Sequence, residues 1–231
     1  MGKLYFIFCL LLCFIFTFAQ QKDSLNIVNK SFKFKEKQLI LPASLIVLGV
    51  LANDEFKHHI KNFRNENFSN FRTKTDDFLQ FAPHVLVYAF ESAGMKPRTD
   101  FNNRAAIFIK GELLTLGITY VLKNSFNAIR PDGASLSFPS GHTAFAFSGA
   151  TLLAIEYGEN HPWVPYVAYG TASTVGFMRM ANNRHYISDV LFGAGLGILS
   201  MKVAYWTHQY RWKQKKTKKD PLISLYLSEQ Q

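Results

Sequence analysis

Six apolar runs divide this chain, and none alternates apolar with polar residues as a half-buried strand does. They lie at 39–52, 78–94, 105–122, 144–157, 163–178 and 188–206, separated by polar residues, Gly and Pro. Runs of that length without strand alternation, internal repeat or second domain predict an all-α fold, a bundle of about six helices. Thr75-Asp76-Asp77 marks one helix start, with a capping hydroxyl and two carboxylates in the first turn. Phe138-Pro139-Ser140-Gly141-His142-Thr143 marks another, because Pro and Gly punctuate the chain just before the run that opens at Ala144. Gly193, Ala194, Gly195 and Gly197 let the last helix approach its neighbours closely.

Most of these runs are shorter than the roughly 20 residues of a membrane span. Mean hydropathy is −0.01, and Lys110 and Glu112 sit inside one run. The succession nevertheless resembles a six-helix membrane bundle, and we expect a membrane-associated protein. Residues 1–19 hold Lys3, an apolar run from Leu4 to Phe18, then Ala19 before Gln20. That order predicts a secretory signal cleaved after Ala19, the alternative being an uncleaved anchor. Both cysteines, Cys9 and Cys13, fall within it, so the mature chain would have neither disulfide nor thiolate chemistry. A polar, lysine-rich linker at 20–38 follows, then a helical domain at 39–210 and a basic tail at 211–231. The net charge of +10 invites nucleic acid as a partner. No zinc-finger spacing, RNP-like motif or basic recognition helix accompanies it, so nucleic acid is excluded. The tail fits a solvated segment or a juxtamembrane polybasic one.

Three clusters carry chemistry. Lys123 is followed after six residues by Arg130-Pro131. Pro139-Ser140-Gly141-His142 comes next, and then Arg179, five residues, His185, three residues, Asp189. Each has a plain structural explanation: a helix-end cation, an N-cap, an i, i+4 pair. Together they place three cations, two histidines and a carboxylate at one end of a bundle, which suits a phosphate dianion. Lys123, Arg130 and Arg179 can neutralise phosphate oxygens. The backbone N–H groups of Ser140, Gly141 and His142 can add donors at a helix start. His185 can attack phosphorus as a neutral imidazole, Asp189 can take its other ring N–H, and His142 can protonate the leaving oxygen. With this many cations no metal or cofactor is required.

The three spaced clusters resemble the signature of the type 2 phosphatidic acid phosphatase superfamily, which also includes class A acid phosphatases and vanadium haloperoxidases. That signature reads K-x6-R-P, P-S-G-H and S-R-x5-H-x3-D, and here it covers Lys123 to Asp189. The resemblance implies a metal-independent phosphomonoesterase acting through a phosphohistidine on an exported phosphate ester or a phospholipid. A vanadate-dependent haloperoxidase and a non-enzymatic membrane scaffold or lipid-binding protein are the alternatives. Two departures stand out. Met178 occupies the place of the Ser before Arg179, and only seven residues separate Pro131 from Pro139. Arg184, beside His185, is an extra cation.

Lys123, His142, Arg179 and Asp189 fall at one end of alternating helices, and Arg98, Arg104 and the basic tail at the other. If the basic end is cytoplasmic, the site faces outward, toward the periplasm or the outside. A cleaved export signal then requires one run not to cross, and 39–52 is the candidate. Phe71, Phe78 and Phe81 suit either the core or an acyl-chain groove.

Overall fold

The computed structural model describes residues 32–52 and 54–209. The expected signal segment, the first part of the linker and the basic tail lie outside the described residues. Those described are all-helical, with α1 Lys37–Leu51, α2 Asp54–Asn67, α3 Thr75–Leu79, α4 Ala82–Ser92, α5 Phe101–Phe126, α6 Gly141–Tyr157, α7 Val164–Ala181 and α8 Ile187–Trp206. The six expected helices become eight for two local reasons. Residues 54–67 form a helix of their own, opened by Asp54 and Glu55 in its first turn. The run at 78–94 is split, because Pro83 in the first turn of α4 has no N–H with which to continue a helix from α3. α5 is longer than its apolar run. The Asp100 side chain caps it by accepting from Asn103 N at 3.0 Å, and Asn127, at φ 41°, ends it.

α6 is the centre of the bundle, packed by α8, α7, α5 and α4. α8 runs between α6 and α1, and its glycines are the reason. A Cβ on Gly197 would lie 2.1 Å from the Ala144 carbonyl, and one on Gly193 would lie 2.7 Å from that of Ser140. A Cβ on Gly195 would lie 2.6 Å from the carbonyl of Pro42 in α1. Backbone therefore meets backbone on both sides of α8.

α5 and α8 are long and apolar enough to cross a membrane, and α1 with α2, bent by 90°, makes a third if the pair counts as one broken span. α1 alone does not qualify. Ile109, Leu113, Leu116 and Val121 on α5, and Tyr166 and Val167 on α7, are exposed. Such a belt fits a hydrocarbon surface, and the protein is a membrane-associated all-α fold. The charges inside α5 have partners. Lys110 Nζ donates to Thr207 Oγ1 at 2.5 Å, and buried Glu112 accepts from Ser148 Oγ at 2.6 Å beside His84 Nε2 at 2.8 Å. At the far end of α6, buried Glu156 accepts from Thr99 N and Oγ1, at 2.9 and 2.8 Å, and from Tyr205. Arg104 joins Glu156 to Glu91. This polar knot lies about 25 Å from the other end of the helix.

Candidate active site

That other end is built by the loop 127–140, the α6 N-terminus, the α7 C-terminus and the α8 N-terminus, with α3 across it. Lys123, in the last turn of α5, donates to the Leu136 carbonyl at 2.6 Å. The same side chain lies against Gly141, where an added Cβ would be 3.8 Å from Lys123 Cε. Ser137 Oγ donates to Asp189 Oδ2 at 2.5 Å, and the Ser140 N–H donates to the Asp189 carbonyl at 3.0 Å. The turn that starts α6 is thus tied to the turn that starts α8, which brings His142 and His185 to one end.

His185 is buried and its Nδ1 stands 3.4 Å from Asp189 Oδ2. At that length no hydrogen bond is completed, although the two groups are close enough to interact, and Nδ1 has no other partner among the described residues. Asp189 Oδ2 also takes the Tyr186 N–H at 3.0 Å, capping α8. Burial pushes the His185 imidazole down to about 4, with Arg179 and Lys123 adding to the fall and Asp189 opposing it. His185 is therefore neutral at pH 7. His142 is 31% exposed, and burial, helped by Arg179 and opposed by Asp77, lowers it below the ordinary histidine value.

The arginines differ in their attachments. Arg179 is buried, donates to Asp76 Oδ2 at 2.6 Å and lies 3.5 Å from Asp77 Oδ1. Arg130 is half-buried on the loop, and Arg179, Arg184, Asp132 and Asp189 all lie near enough to act on its charge. Arg130 Nε and Arg179 Nε are both buried without an acceptor among the described residues. Arg184 is half exposed and paired with Asp132 at 3.0 Å, which pins it to the loop beside Arg130.

Ser140 departs from expectation. Its N–H goes to Asp189 and its hydroxyl shares a hydrogen bond with Thr143 Oγ1 at 2.8 Å, so it builds the turn rather than offering a donor. The N–H groups of Gly141 and His142 fall in the first turn of α6, where a helix has no acceptor for them.

Sequence reasoning missed Asp76, Asp77, Asn182 and Ser137. Asp76 is 1% exposed and holds Arg179 and, at 3.0 Å, Asn182 Nδ2. Asp77 Oδ1 lies 3.1 Å from His142 Nε2. Their one local signal, two acids at a helix start, is the ordinary signal for a helix dipole.

Residues 104–213 match the model of the PAP2 superfamily. Over 199 residues the chain is 35% identical to the lipid A 1-phosphatase of Porphyromonas gingivalis, covering 82% of this chain and 43% of that protein. A Schizosaccharomyces pombe protein named "Probable diacylglycerol pyrophosphate phosphatase 1" is 32% identical over 52% of this chain and 47% of its own length. The lipid A 4'-phosphatase of Helicobacter pylori is 30% identical over 45% and 56%. The chain thus spans about half the length of the curated relatives it matches. With its signature residues gathered at one end of the bundle, and with these matches across them, the chain belongs to the PAP2 superfamily.

Proposed function

We propose that the protein is a metal-independent phosphatase acting on lipid phosphate monoesters. The observation that carries this is the set of buried, partnerless donors. Arg130 Nε and Arg179 Nε are held near one another with no acceptor among the described residues. A buried donor left unpaired costs about 1–3 kcal/mol, and a phosphate dianion supplies the acceptors both require.

The chemistry follows from the two imidazoles. His185, neutral and turned by its Nδ1 toward Asp189, attacks phosphorus through Nε2. The P–N bond forms as the ester P–O bond breaks, and the bonding pair leaves on the ester oxygen, which takes a proton from His142. Lys123, Arg130 and Arg179 hold the charge on the remaining phosphate oxygens. His142, now neutral, accepts a proton from water as the water oxygen attacks phosphorus. The P–N bond breaks, and its electrons return to His185.

The apolar belt along α5 and α7 and the lipid phosphatases among the relatives support a lipid substrate. We place the site on the outer side of the membrane, after an export signal at 1–19, because Lys and Arg concentrate at the opposite end. The experiment is turnover by the purified protein in detergent of phosphatidic acid, phosphatidylglycerol phosphate, lipid A and p-nitrophenyl phosphate. Release of phosphate from at least one lipid monoester is expected. Inertness toward every compound would sink the reading. An alkaline phosphatase fusion after Phe138 should be active; a well-expressed but inactive fusion would put the site inside.

A further inference from the structure

The two sides of the site differ in charge. The groups that act most strongly on His185 besides Asp189 are cations, Arg179 and Lys123. Those acting on His142 are one cation, Arg179, and two carboxylates, Asp77 and Asp76. Asp76 is accounted for, since it is buried under Arg179 and Asn182 and holds both. Asp77 lies farther from Arg179, at 3.5 Å, and only adds to that hold. It is half exposed, and its Oδ1 stands 3.1 Å from His142 Nε2, a ring nitrogen of the proposed acid. Whatever is bonded to the oxygen that His142 protonates must come to rest near the Asp77 carboxylate. The next residue, Phe78, is 62% exposed, and Phe81 packs on Phe145 at 5.3 Å, so the surroundings on this side are apolar.

We propose that Asp77 is a specificity-determining residue whose carboxylate disfavours a leaving group carrying its own negative charge. The enzyme therefore prefers phosphate monoesters of alcohols to diphosphates of the same alcohols. In a monoester the leaving oxygen belongs to an uncharged sugar or glycerol. In a diphosphate it belongs to a second phosphate, which meets Asp77 at a few ångströms in a partly desolvated site, a repulsion worth on the order of tenfold in rate. This rests on the phosphatase reading above and adds the class of leaving group.

The test compares diacylglycerol phosphate with diacylglycerol diphosphate of identical acyl chains, in detergent, by kcat/KM. The unaltered protein should favour the monophosphate. Asp77→Asn should raise the diphosphate value relative to the monophosphate by about tenfold. Asp77→Glu, which keeps the charge, should keep the original ratio. A merely structural role for Asp77 would lower both substrates together and leave the ratio alone. An unchanged ratio in Asp77→Asn, a diphosphate preference in the unaltered protein, or an equal shift in Asp77→Glu would each overturn the assignment. Unaltered protein that cleaves neither lipid overturns the phosphatase reading itself, a result distinct from cleavage with an unchanged ratio.

Discussion

Ser137 Oγ donates to Asp189 Oδ2 at 2.5 Å, a tighter contact than the 3.4 Å between that same oxygen and His185 Nδ1. The carboxylate that turns the nucleophile is itself held by a residue of the loop before α6. Ser137→Ala leaves a buried carboxylate oxygen short of one donor. It should cost about 1–3 kcal/mol in thermal unfolding and lower kcat several-fold, with KM little changed. Asp189→Asn should be worse, about 10²–10⁴-fold in kcat, because it misorients the imidazole as well.

The two histidines should separate cleanly. His185→Ala should abolish both turnover and the phosphoenzyme. His142→Ala should accumulate an acid-labile, base-stable phosphohistidine at His185 when p-nitrophenyl phosphate is the substrate. That alcohol leaves without a proton, while hydrolysis of the intermediate still needs a base. Peptide mapping of the label decides it; a label on His142 would reverse the roles.

The pH profile follows from the two imidazoles. The free enzyme needs His185 neutral, which holds above about pH 4, and His142 protonated, which holds below a value pulled under 6.5. The kcat/KM profile should therefore peak at acidic pH and already be falling before pH 6.5 is reached. Binding a phosphate dianion favours the His142 cation, so the alkaline limb of kcat should lie higher than that of kcat/KM.

Chelation should do little. Lys123, Arg130 and Arg179 supply the positive charge, so EDTA should leave activity unchanged. Orthovanadate, a mimic of the transferring phosphoryl group, should inhibit competitively. Loss on chelation with recovery on added Mg²⁺ would contradict the mechanism.

Gly197→Ala places a methyl 2.1 Å from a backbone carbonyl of α6. It should destabilise the fold by about 1–3 kcal/mol and reduce activity, because the contact lies one turn from His142. Gly117→Ala, which meets nothing within 4 Å, should be neutral or slightly stabilising in the same unfolding assay.

Most of the helices and the eight candidate site residues stand out in the sequence because their information is local. Apolar runs announce helices, and Lys123, His142, His185 and Asp189 are chemically telling at short spacings. What stayed hidden is long-range. Arg179 and Asp76 are 103 positions apart, and nothing near either residue names the other. Ser140 looked like a donor to phosphate because its neighbours form a helix start; that its N–H is spent on Asp189 depends on how α8 docks. α2 was half legible for a different reason: residues 53–74 are polar overall and suit a loop as well as a short amphipathic helix, although Phe56, Ile60 and Phe63 recur at helical spacing.

Glu112 also bears on how the chain is made. A carboxylate in mid-span opposes insertion of α5 on its own, by about 2.5–3.5 kcal/mol on insertion scales. Its two partners lie on opposite sides of it in the order of synthesis: His84 in α4 is translated before it, and Ser148 in α6 after it. During biogenesis the nascent α5 can meet His84 as soon as it emerges and must wait for α6 to gain the second bond. The contact between α4 and α5 can thus form first, and the helix bearing His142 then brings Ser148 as the second donor to Glu112.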